Sequence, residues 1–239
     1  MTDTELFDKY LTEAGCDFCT AEHTGKFLLY AEELKEWNKK FNLTAVEGLR
    51  EVIIKHFIDS LMLVKTYKSL DNLTIVDIGT GAGFPGIPAS IVSPSSAVTL
   101  LESNSKKISF LNHIKIILGL KNLEIIEGRS EILSREKKYR EFFDIAVMRA
   151  LAPYPIAMEI AAGFVKPGGS LAYFASLKQL HEIKENNTWL GKLGCRLDKI
   201  FEYELPEGSG KFCIATACKQ SLTHIKYPRL YSMIKKKPL

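Results

Sequence analysis

The chain has 239 residues, of which 46% are apolar and 25% charged, and its formal net charge is +4. This ordinary globular composition excludes disordered, collagen-like and low-complexity proteins. No apolar run approaches the roughly 18–20 residues that a membrane span needs, and the N-terminus lacks the basic and apolar regions of a secretory signal. Five cysteines do not suggest a disulfide framework, so we expect a cytoplasmic protein without a membrane partner.

The first part of the chain has the apolar spacing of helices. Apolar residues recur at helical intervals over 6–14, and again after Thr20 until Asn42 breaks the pattern. A third helix is predicted over about 47–68. We therefore expect residues 1–70 to form an N-terminal helical cap on the domain that follows.

From Leu73 onward, short β-rich runs alternate with helical stretches. Seven strands are predicted, at residues 73–78, 97–102, 122–127, 143–148, 170–175, 195–204 and 211–218. Apolar strands separated by helices imply a mostly parallel sheet covered on both faces, an α/β fold. The last two strands are joined by a hairpin-length connection, so one of them should be antiparallel. Seven strands with a final hairpin match the Rossmann-like class I methyltransferase sheet better than the six-stranded dinucleotide sheet, and we assign this domain to residues 71–218.

The strongest motif is VDIGTGAGFPGIP at residues 76–88, with glycines at Gly79, Gly81 and Gly83. Glycines after a strand permit unusual backbone angles and close approach of a ligand. The pattern is also found in simple tight turns and in nicotinamide sites, but Phe84 stands where a nicotinamide fingerprint has its third glycine. Phe84 itself is expected either to wall the ligand pocket or to pack in the core.

Acidic residues at two strand ends indicate which cofactor the motif binds. Asp77 would crowd a pyrophosphate, whereas S-adenosylmethionine has no phosphate and carries a cationic sulfonium and amine. Glu102 is placed to hold ribose hydroxyls in either kind of cofactor, or is a solvated strand-end carboxylate. We therefore predict S-adenosylmethionine, with the three glycines around its methionine part, Asp77 near its amine, Glu102 on its ribose, and Ser130 and Glu131 beside its adenine.

The chain ends in a basic tail, which we assign to residues 219–239. It contains six basic residues and no acidic one, with Tyr227 and Tyr231 interleaved. Such a tail fits either contacts with phosphates or a solubilising end. Lys106 and Lys107 belong to a solvated helix face or lie near the crevice mouth, where they would contact phosphates.

A possible metal motif is set aside. Cys16 and Cys19 lie near His23, but a zinc site needs a second pair of ligands at suitable spacing, and the sequence offers none. We expect no metal, and buried cysteines that act as small apolar residues.

Taken together, these motifs resemble the RsmG (GidB) family of bacterial methyltransferases. The matching segments occur in the family's order: WNKKFNLTA (37–45), KHFIDSL (55–61), VDIGTGAGFPGIP (76–88), LLESNSKKISFL (100–111), EGRSE (127–131), FDIAVMRALA (143–152), VKPGG (165–169) and YPRLYSMIKKKPL (227–239). The resemblance implies methyl transfer from S-adenosylmethionine to nitrogen 7 of a guanosine of the position 527 type, in the 530 loop of 16S ribosomal RNA. It also favours RNA contacts by the tail, and we expect a monomer that acts on the small ribosomal subunit.

Arg149 is the candidate catalytic residue, because it ends the fourth predicted strand and faces the crevice. It would bind the carboxyl group of the cofactor, orient the guanine or hold a nearby phosphate. An ion pair with Asp59 between the cap and the sheet is the alternative. The RNA contacts are assigned to Lys106, Lys107, Arg229, Lys235, Lys236 and Lys237.

The sequence departs from the family at two places. Met148 precedes Arg149 where the family usually has a small polar residue, and Phe174-Ala175-Ser176 stand where it often has Lys-Gly. Both positions concern the pocket for the target base. Two other functions therefore remain open: another S-adenosylmethionine-dependent RNA or small-molecule methyltransferase, and a non-catalytic RNA-binding module.

Overall fold

A computed structural model describes residues 1–185 and 187–239 of the chain. Its α-helices are α1 (Asp3–Glu13), α2 (Ala21–Phe41), α3 (Leu49–Val52), α4 (Asp59–Tyr67), α5 (Gly86–Val92), α6 (Ser105–Ile117), α7 (Ser130–Leu133), α8 (Tyr154–Ala162), α9 (Leu180–Glu185) and α10 (Tyr231–Lys236). A π-helical turn, Ile53–Ile58, connects α3 to α4. None of the described helices is long and apolar enough to cross a membrane.

The centre of the molecule is a seven-stranded sheet in the order β3-β2-β1-β4-β5-β7-β6. Its strands are β1 (Thr74–Ile78), β2 (Ala97–Glu102), β3 (Leu123–Glu127), β4 (Phe143–Arg149), β5 (Val165–Ser176), β6 (Cys195–Glu204) and β7 (Lys211–Lys219). β7 runs antiparallel to both of its neighbours, and the pairs from β3 to β5 are parallel. The predicted α/β fold, its parallel sheet and its final hairpin are confirmed.

The order of the strands determines where a ligand would bind. β1 lies between β2, which follows it along the chain, and β4, which begins the other half of the sheet. The strand order therefore reverses between β1 and β4, and in open α/β sheets ligands bind beside the carboxyl ends of the strands at such a point. The loop after β1 and the end of β4 lie together there.

Of the N-terminal helices, the second begins and ends where the sequence predicts, and the first begins three residues before the apolar pattern at 6–14. Thr20 caps α2 by accepting a hydrogen bond from the backbone of His23, and Asn42 ends α2 in the left-handed conformation. The single helix predicted over about 47–68 is instead divided by the π-helical turn. Helical spacing of apolar residues does not distinguish the two helix types over so short a stretch, so the interruption has no clear sign in the pattern.

The helical N-terminal part and the sheet share one hydrophobic core. Phe27 and Phe57 lie in the same buried cluster as Ile75 and Leu100 of the sheet. A second cluster covers the opposite face, where Met148 and α8 pack. The assignment of residues 1–70 to a separate cap stays a prediction, and this shared core indicates that the two parts depend on each other.

The C-terminal tail is packed on the domain by buried and half-buried ion pairs. Lys219 donates hydrogen bonds to Glu141 and to two backbone carbonyls. Arg229 pairs with the fully buried carboxylate of Glu159 through two nitrogens, at 2.8 and 2.5 Å. Arg135 donates to the carbonyl oxygen of Pro228, at 2.6 Å from Nη2. The tail therefore follows a fixed path over α7 and α8 before α10 begins.

Candidate functional site

The glycine-rich loop lies directly after β1 and is held by the neighbouring strand. Gly79, Gly81 and Gly83 have φ angles of 69°, 64° and 101°, in the left-handed region that favours glycine. A Cβ atom added at Gly83 would collide with Ile87 and Tyr30, whereas one at Gly81 would meet, among the described residues, only the Lys107 Nζ atom, at 3.9 Å. Gly83 is therefore required by packing, and Gly81 borders open space in which a ligand could lie.

Asp77 occupies the end of β1 beneath this loop and is fully buried. Its Oδ2 accepts hydrogen bonds from the Thr80 hydroxyl at 2.6 Å and from the Gly86 backbone at 2.8 Å. Its Oδ1 has no hydrogen-bond partner among the described residues. Burial raises the pKa of Asp77 to about 6, against the pull of those two hydrogen bonds. A buried acceptor without a donor is suited to a cationic partner.

Glu102 ends β2 beside the same loop and organises it. Its Oε2 accepts from the Gly81 backbone at 3.0 Å, and its Oε1 accepts from Ser103 and Asn104 at 2.8 and 2.9 Å. A carboxylate has about four lone-pair positions, so one remains on Oε2. Lys107 Nζ lies 4.0 Å from Oε2. Glu102 thus fixes the conformation of the loop and can still accept a hydrogen bond from a ligand.

Phe84 packs in an aromatic cluster. Its ring stacks on Tyr30 at 5.3 Å and on His56 at 4.5 Å between centroids, and its side chain is buried. Of the two expectations for Phe84, the geometry therefore fits core packing between the loop and the N-terminal helices. A contact with the cofactor stays a prediction.

Arg149 ends β4 and reaches toward the N-terminal helices. Its Nε pairs with Asp59 Oδ2 at 2.9 Å, the alternative that the sequence left open. Its Nη2 donates to the carbonyl oxygen of Lys55 at 2.6 Å and contacts His56 Nδ1 at 3.2 Å. The Nη1 atom has no hydrogen-bond partner among the described residues. Arg149 therefore connects the sheet to the N-terminal helices, and it can still donate hydrogen bonds to a ligand.

A cavity of about 530 Å³ opens beside Arg149, at the carboxyl ends of β4 and β5. Its walls include the rings of Tyr173, Phe174, Tyr203 and Phe212. Ala150, the residue after Arg149, lines it with a φ of 53°, a strained angle for a residue with a side chain. A concave site with aromatic walls and two cations, Lys55 and Arg149, is suited to a flat, polar ring system.

The other predicted site residues lie after β2 and β3 or on the tail. Ser130 begins α7 after β3, and the adjacent Glu131 pairs with Arg129 at 3.0 Å. Lys106 and Lys107 lie in the first turn of α6, where Asn104 caps the helix as predicted. Lys235, Lys236 and Lys237 are exposed at the end of the chain. Arg229, by contrast, is held by Glu159, so a phosphate would compete there with a buried carboxylate.

Sequence reasoning missed some side chains that the structure brings to the site. In the sequence, His56 is only one letter of the segment KHFIDSL, and Tyr203 is only part of a predicted strand. Tyr203 donates to Asp59 Oδ1 at 2.5 Å and so completes the surroundings of Arg149. The segment KHFIDSL was the available signal, because it places His56 and Asp59 close together on one helical turn.

Solved structures with the same fold include methyltransferases. A SAM-dependent methyltransferase from Aquifex aeolicus has a TM-score of 0.51 and 19% identity, covering 66% of this chain and 89% of that one. A ribosomal protein L11 methylase from Lactobacillus delbrueckii subsp. bulgaricus has a TM-score of 0.52 and 15% identity, covering 70% of this chain and 79% of that one. At these identities the likeness establishes the fold alone.

Curated relatives match nearly the whole chain. The proteins named ribosomal RNA small subunit methyltransferase G from Caldanaerobacter subterraneus subsp. tengcongensis and Clostridium perfringens are 40% and 37% identical to it. The alignments cover 91% of this chain and 90% of the first relative, and 98% of both chains for the second. The family model described as rRNA small subunit methyltransferase G matches residues 23–206. The chain therefore belongs to the GidB family of rRNA small subunit methyltransferases.

Proposed function

We propose that this protein transfers a methyl group from S-adenosylmethionine to nitrogen 7 of a guanosine in the 530 loop of 16S ribosomal RNA, of the position 527 type. Membership in the GidB family supports methyl transfer to small-subunit rRNA. The single structural observation that carries the proposal is the buried Oδ1 of Asp77, which has no hydrogen-bond partner among the described residues and lies on the strand that leads into the glycine loop. The choice of nucleotide rests on the resemblance of the motifs.

The residues at the end of β1 and β2 fit S-adenosylmethionine. Asp77 Oδ1 would accept from its amine, the open side of Gly81 would receive its methionine part, and the free position on Glu102 would accept from its ribose. Ser130 and Glu131, after β3, would border its adenine. When bound, the cofactor supplies an electrophilic methyl group on a sulfonium.

The enzyme has to position the target base and does not have to activate it. The lone pair of guanine nitrogen 7 is free at neutral pH, so no general base is required, and positioning supplies much of the rate through effective molarity. We place the guanine in the cavity of about 530 Å³, where aromatic walls would stack on it. Arg149 lines this cavity, and its free Nη1 would donate to oxygen 6 of the base without blocking nitrogen 7.

Basic residues around the crevice would hold the RNA backbone. Lys106 and Lys107 lie at the start of α6, and Lys235, Lys236 and Lys237 are exposed on the tail. Such cations bind phosphates through charge, and the affinity therefore falls with salt. We assign them to positioning the RNA, and Arg229 to fixing the tail on which three of them lie.

Transfer of labelled methyl from S-adenosylmethionine to small ribosomal subunits that lack the modification tests the proposal. We expect label at nitrogen 7 of one guanosine in the 530 loop, found by mapping the modified nucleotide. Label at another nucleotide would keep the assignment as an rRNA methyltransferase and reject the proposed target nucleotide. If the protein binds the cofactor but transfers no label to the subunits, the proposal that it methylates their rRNA is rejected. If it does not bind the cofactor, a non-catalytic RNA-binding module is favoured. We expect a cytoplasmic monomer, which fractionation and sedimentation check.

A further inference from the structure

His56 lies in the π-helical turn, at the centre of contacts that join three parts of the chain. Its Nδ1 is 3.2 Å from Arg149 Nη2, and its Nε2 is 2.8 Å from the Thr44 hydroxyl. Its ring stacks on Phe84 at 4.5 Å between centroids with an interplanar angle of 15°. One imidazole therefore contacts the end of β4, the loop after α2 and the glycine-rich loop. π-Helical turns inside helices occur frequently at functional sites.

The partners of His56 determine its tautomer. A guanidinium has only N–H groups and cannot accept, so the contact with Arg149 requires Nδ1 to be the acceptor. In a neutral ring the proton is then on Nε2, which donates to the Thr44 hydroxyl. Burial and the charge of Arg149 both lower the pKa of His56, to about 3, so the ring is neutral at physiological pH. Every polar atom of the imidazole thus has a defined role.

Thr44 is itself fixed in place. Its hydroxyl also accepts from the backbone of Val46 at 3.0 Å, and its own backbone donates to Asn38 Oδ1 at 2.9 Å. Asn38 returns a hydrogen bond to the Thr44 carbonyl at 3.0 Å. The loop that carries Thr44 is therefore attached to α2 by side-chain bonds, and it holds the Nε2 side of the imidazole.

We propose that His56, fixed as the Nε2–H tautomer by Thr44, is a positioning residue that sets the orientation of the Arg149 guanidinium toward the methyl-accepting base. The inference deepens the proposed function and rests on it. Asp59 pairs with Nε, and the Lys55 carbonyl and His56 Nδ1 both contact Nη2. Among the described residues, Nη1 is therefore left with free donor capacity, on a side chain that lines the cavity. His56 does not contact the reacting atoms.

Two substitutions separate the two nitrogens of His56. In His56→Asn the amide oxygen takes the position of Nδ1, so an acceptor for Arg149 is kept and the bond to Thr44 is lost. In His56→Gln the amide nitrogen takes the position of Nε2, so the bond to Thr44 is kept and the acceptor for Arg149 is lost. His113→Gln is the matched control, because His113 pairs with Glu33 away from the cavity. For each variant we would measure kcat and KM on small ribosomal subunits, the Kd for S-adenosylmethionine, and Tm.

We expect His56→Gln to lower kcat about ten- to a hundredfold, the order of effect of a small misplacement, while the Kd for S-adenosylmethionine and Tm stay close to wild type. His56→Asn should retain clearly more of kcat than His56→Gln, and His113→Gln should retain all of it. Equal losses in the two His56 variants, or a loss that follows Tm, would overturn the positioning role.

Thr44 and the tautomer are tested independently. Thr44→Val removes the acceptor for Nε2–H and should lower kcat, and Thr44→Ser should restore it. Long-range ¹H–¹⁵N NMR of the histidine rings in the free protein should show the His56 proton on Nε2. A proton on Nδ1, or a fully active Thr44→Val protein, would overturn the inference. The NMR result does not depend on activity, whereas a wild-type protein that methylates no subunit would instead reject the proposed function.

Discussion

At the scale of residues, the site is built around charges that the fold buries before any ligand arrives. Asp77 is buried with one oxygen that has no partner within residues 1–185 and 187–239, and its pKa is raised from 3.8 to about 6. A shift of this size corresponds to about 3 kcal/mol of unfavourable burial for the carboxylate form. Because this form destabilises the free protein, a ligand that pairs with it gains a partner already desolvated and oriented.

The substitution Asp77→Asn should separate stability from binding. Asparagine keeps an acceptor for Thr80 and Gly86 but places a neutral amide where the unpaired oxygen lies. We expect the Kd for S-adenosylmethionine to rise about ten- to a hundredfold, the effect of losing a hydrogen bond to a charged group. The Tm of the free protein should not fall, since a buried charge is removed. Calorimetric titration and thermal unfolding check both, and Asp144→Asn, at the opposite end of β4, is the control.

The raised pKa also predicts how binding depends on pH. Above about pH 6 Asp77 is ionised and pairs with a cationic amine; below it, the protonated carboxyl must lose its proton on binding, so the Kd should rise up to about tenfold per pH unit. The stability of the free protein depends on pH in the opposite direction, falling as pH rises. The stabilising contribution of Asp77 is fully present below its unfolded pKa and is lost as pH rises through about 6. Titrations from about pH 5 to about pH 8 check this. A flat profile for wild type, or the same slope for Asp77→Asn, would contradict it.

Some residue-scale features were predictable and others were not. The acids Asp77 and Glu102 follow directly from strand ends, and the Asn104 cap follows from local chemistry. The Arg149–Asp59 ion pair was one of two interpretations. The role of His56 was not accessible, because its contact with Arg149 joins positions 93 residues apart and depends on how the helices pack.

At the scale of elements, the glycine loop combines two requirements that the motif alone does not separate. Gly83 has no room for a side chain, and Gly81 has room that a ligand would need. Both have left-handed backbone angles. The same residue type therefore serves the packing of the loop at one position and access to it at the other.

Alanine substitutions should distinguish the two glycines. Gly81→Ala should cost about 1–2 kcal/mol in the free energy of unfolding through its backbone angle, and should also weaken cofactor binding by filling the open space. Gly83→Ala should cost more, since its Cβ would also collide with Ile87 and Tyr30. Gly119→Ala is the control for strain alone, because Gly119 has a φ of 63° and its added Cβ would meet no heavy atom of the described residues within 4 Å. Urea unfolding and calorimetry give the two quantities; cofactor binding that is equally affected by Gly81→Ala and Gly119→Ala would refute this division.

The elements themselves were largely predictable because most are specified locally. The buried strands are continuous apolar runs, and the final hairpin follows from a short connection. β5, however, begins at Val165 rather than at 170, because Val165 pairs with Phe143 across a register shift that a Pro-Gly-Gly sequence does not suggest. The π-helical turn was missed for the same reason: its contacts, not its composition, mark it.

At the scale of the whole molecule, the tail has two parts with different roles. Arg229 binds a carboxylate that is fully buried, and Lys235, Lys236 and Lys237 are exposed beyond it. Removing one partner of a buried ion pair leaves an uncompensated charge, which is strongly destabilising. Substitution of Arg229 should therefore lower the stability of the protein, and substitution of the three lysines should lower its affinity for RNA.

Substitutions in the tail should produce opposite profiles. Arg229→Ala should lower the free energy of unfolding by ~3 kcal/mol. The triple change Lys235→Ala, Lys236→Ala and Lys237→Ala should leave unfolding unchanged. It should weaken RNA binding and reduce the slope of log K against log salt by about two, at 0.7–0.9 for each phosphate contact that is lost. Urea unfolding and binding to the 530-loop RNA at several salt concentrations measure these effects. The control removes Lys35, Lys39 and Lys40 of α2, and an equal change of slope there would show that only net charge matters.

The position of β7 has a consequence for how the protein is made. β6 pairs with β7, and the outer edge of β5 also pairs with β7, yet β7 is the last strand to leave the ribosome. The strands that carry Asp77, Glu102 and Arg149 are complete long before. Until Lys211–Lys219 has been synthesised, a nascent chain exposes an unpaired strand edge beside a nearly finished binding crevice, and such edges attract other chains. We therefore expect a premature stop between β6 and β7 to yield a product prone to aggregation rather than a smaller working enzyme.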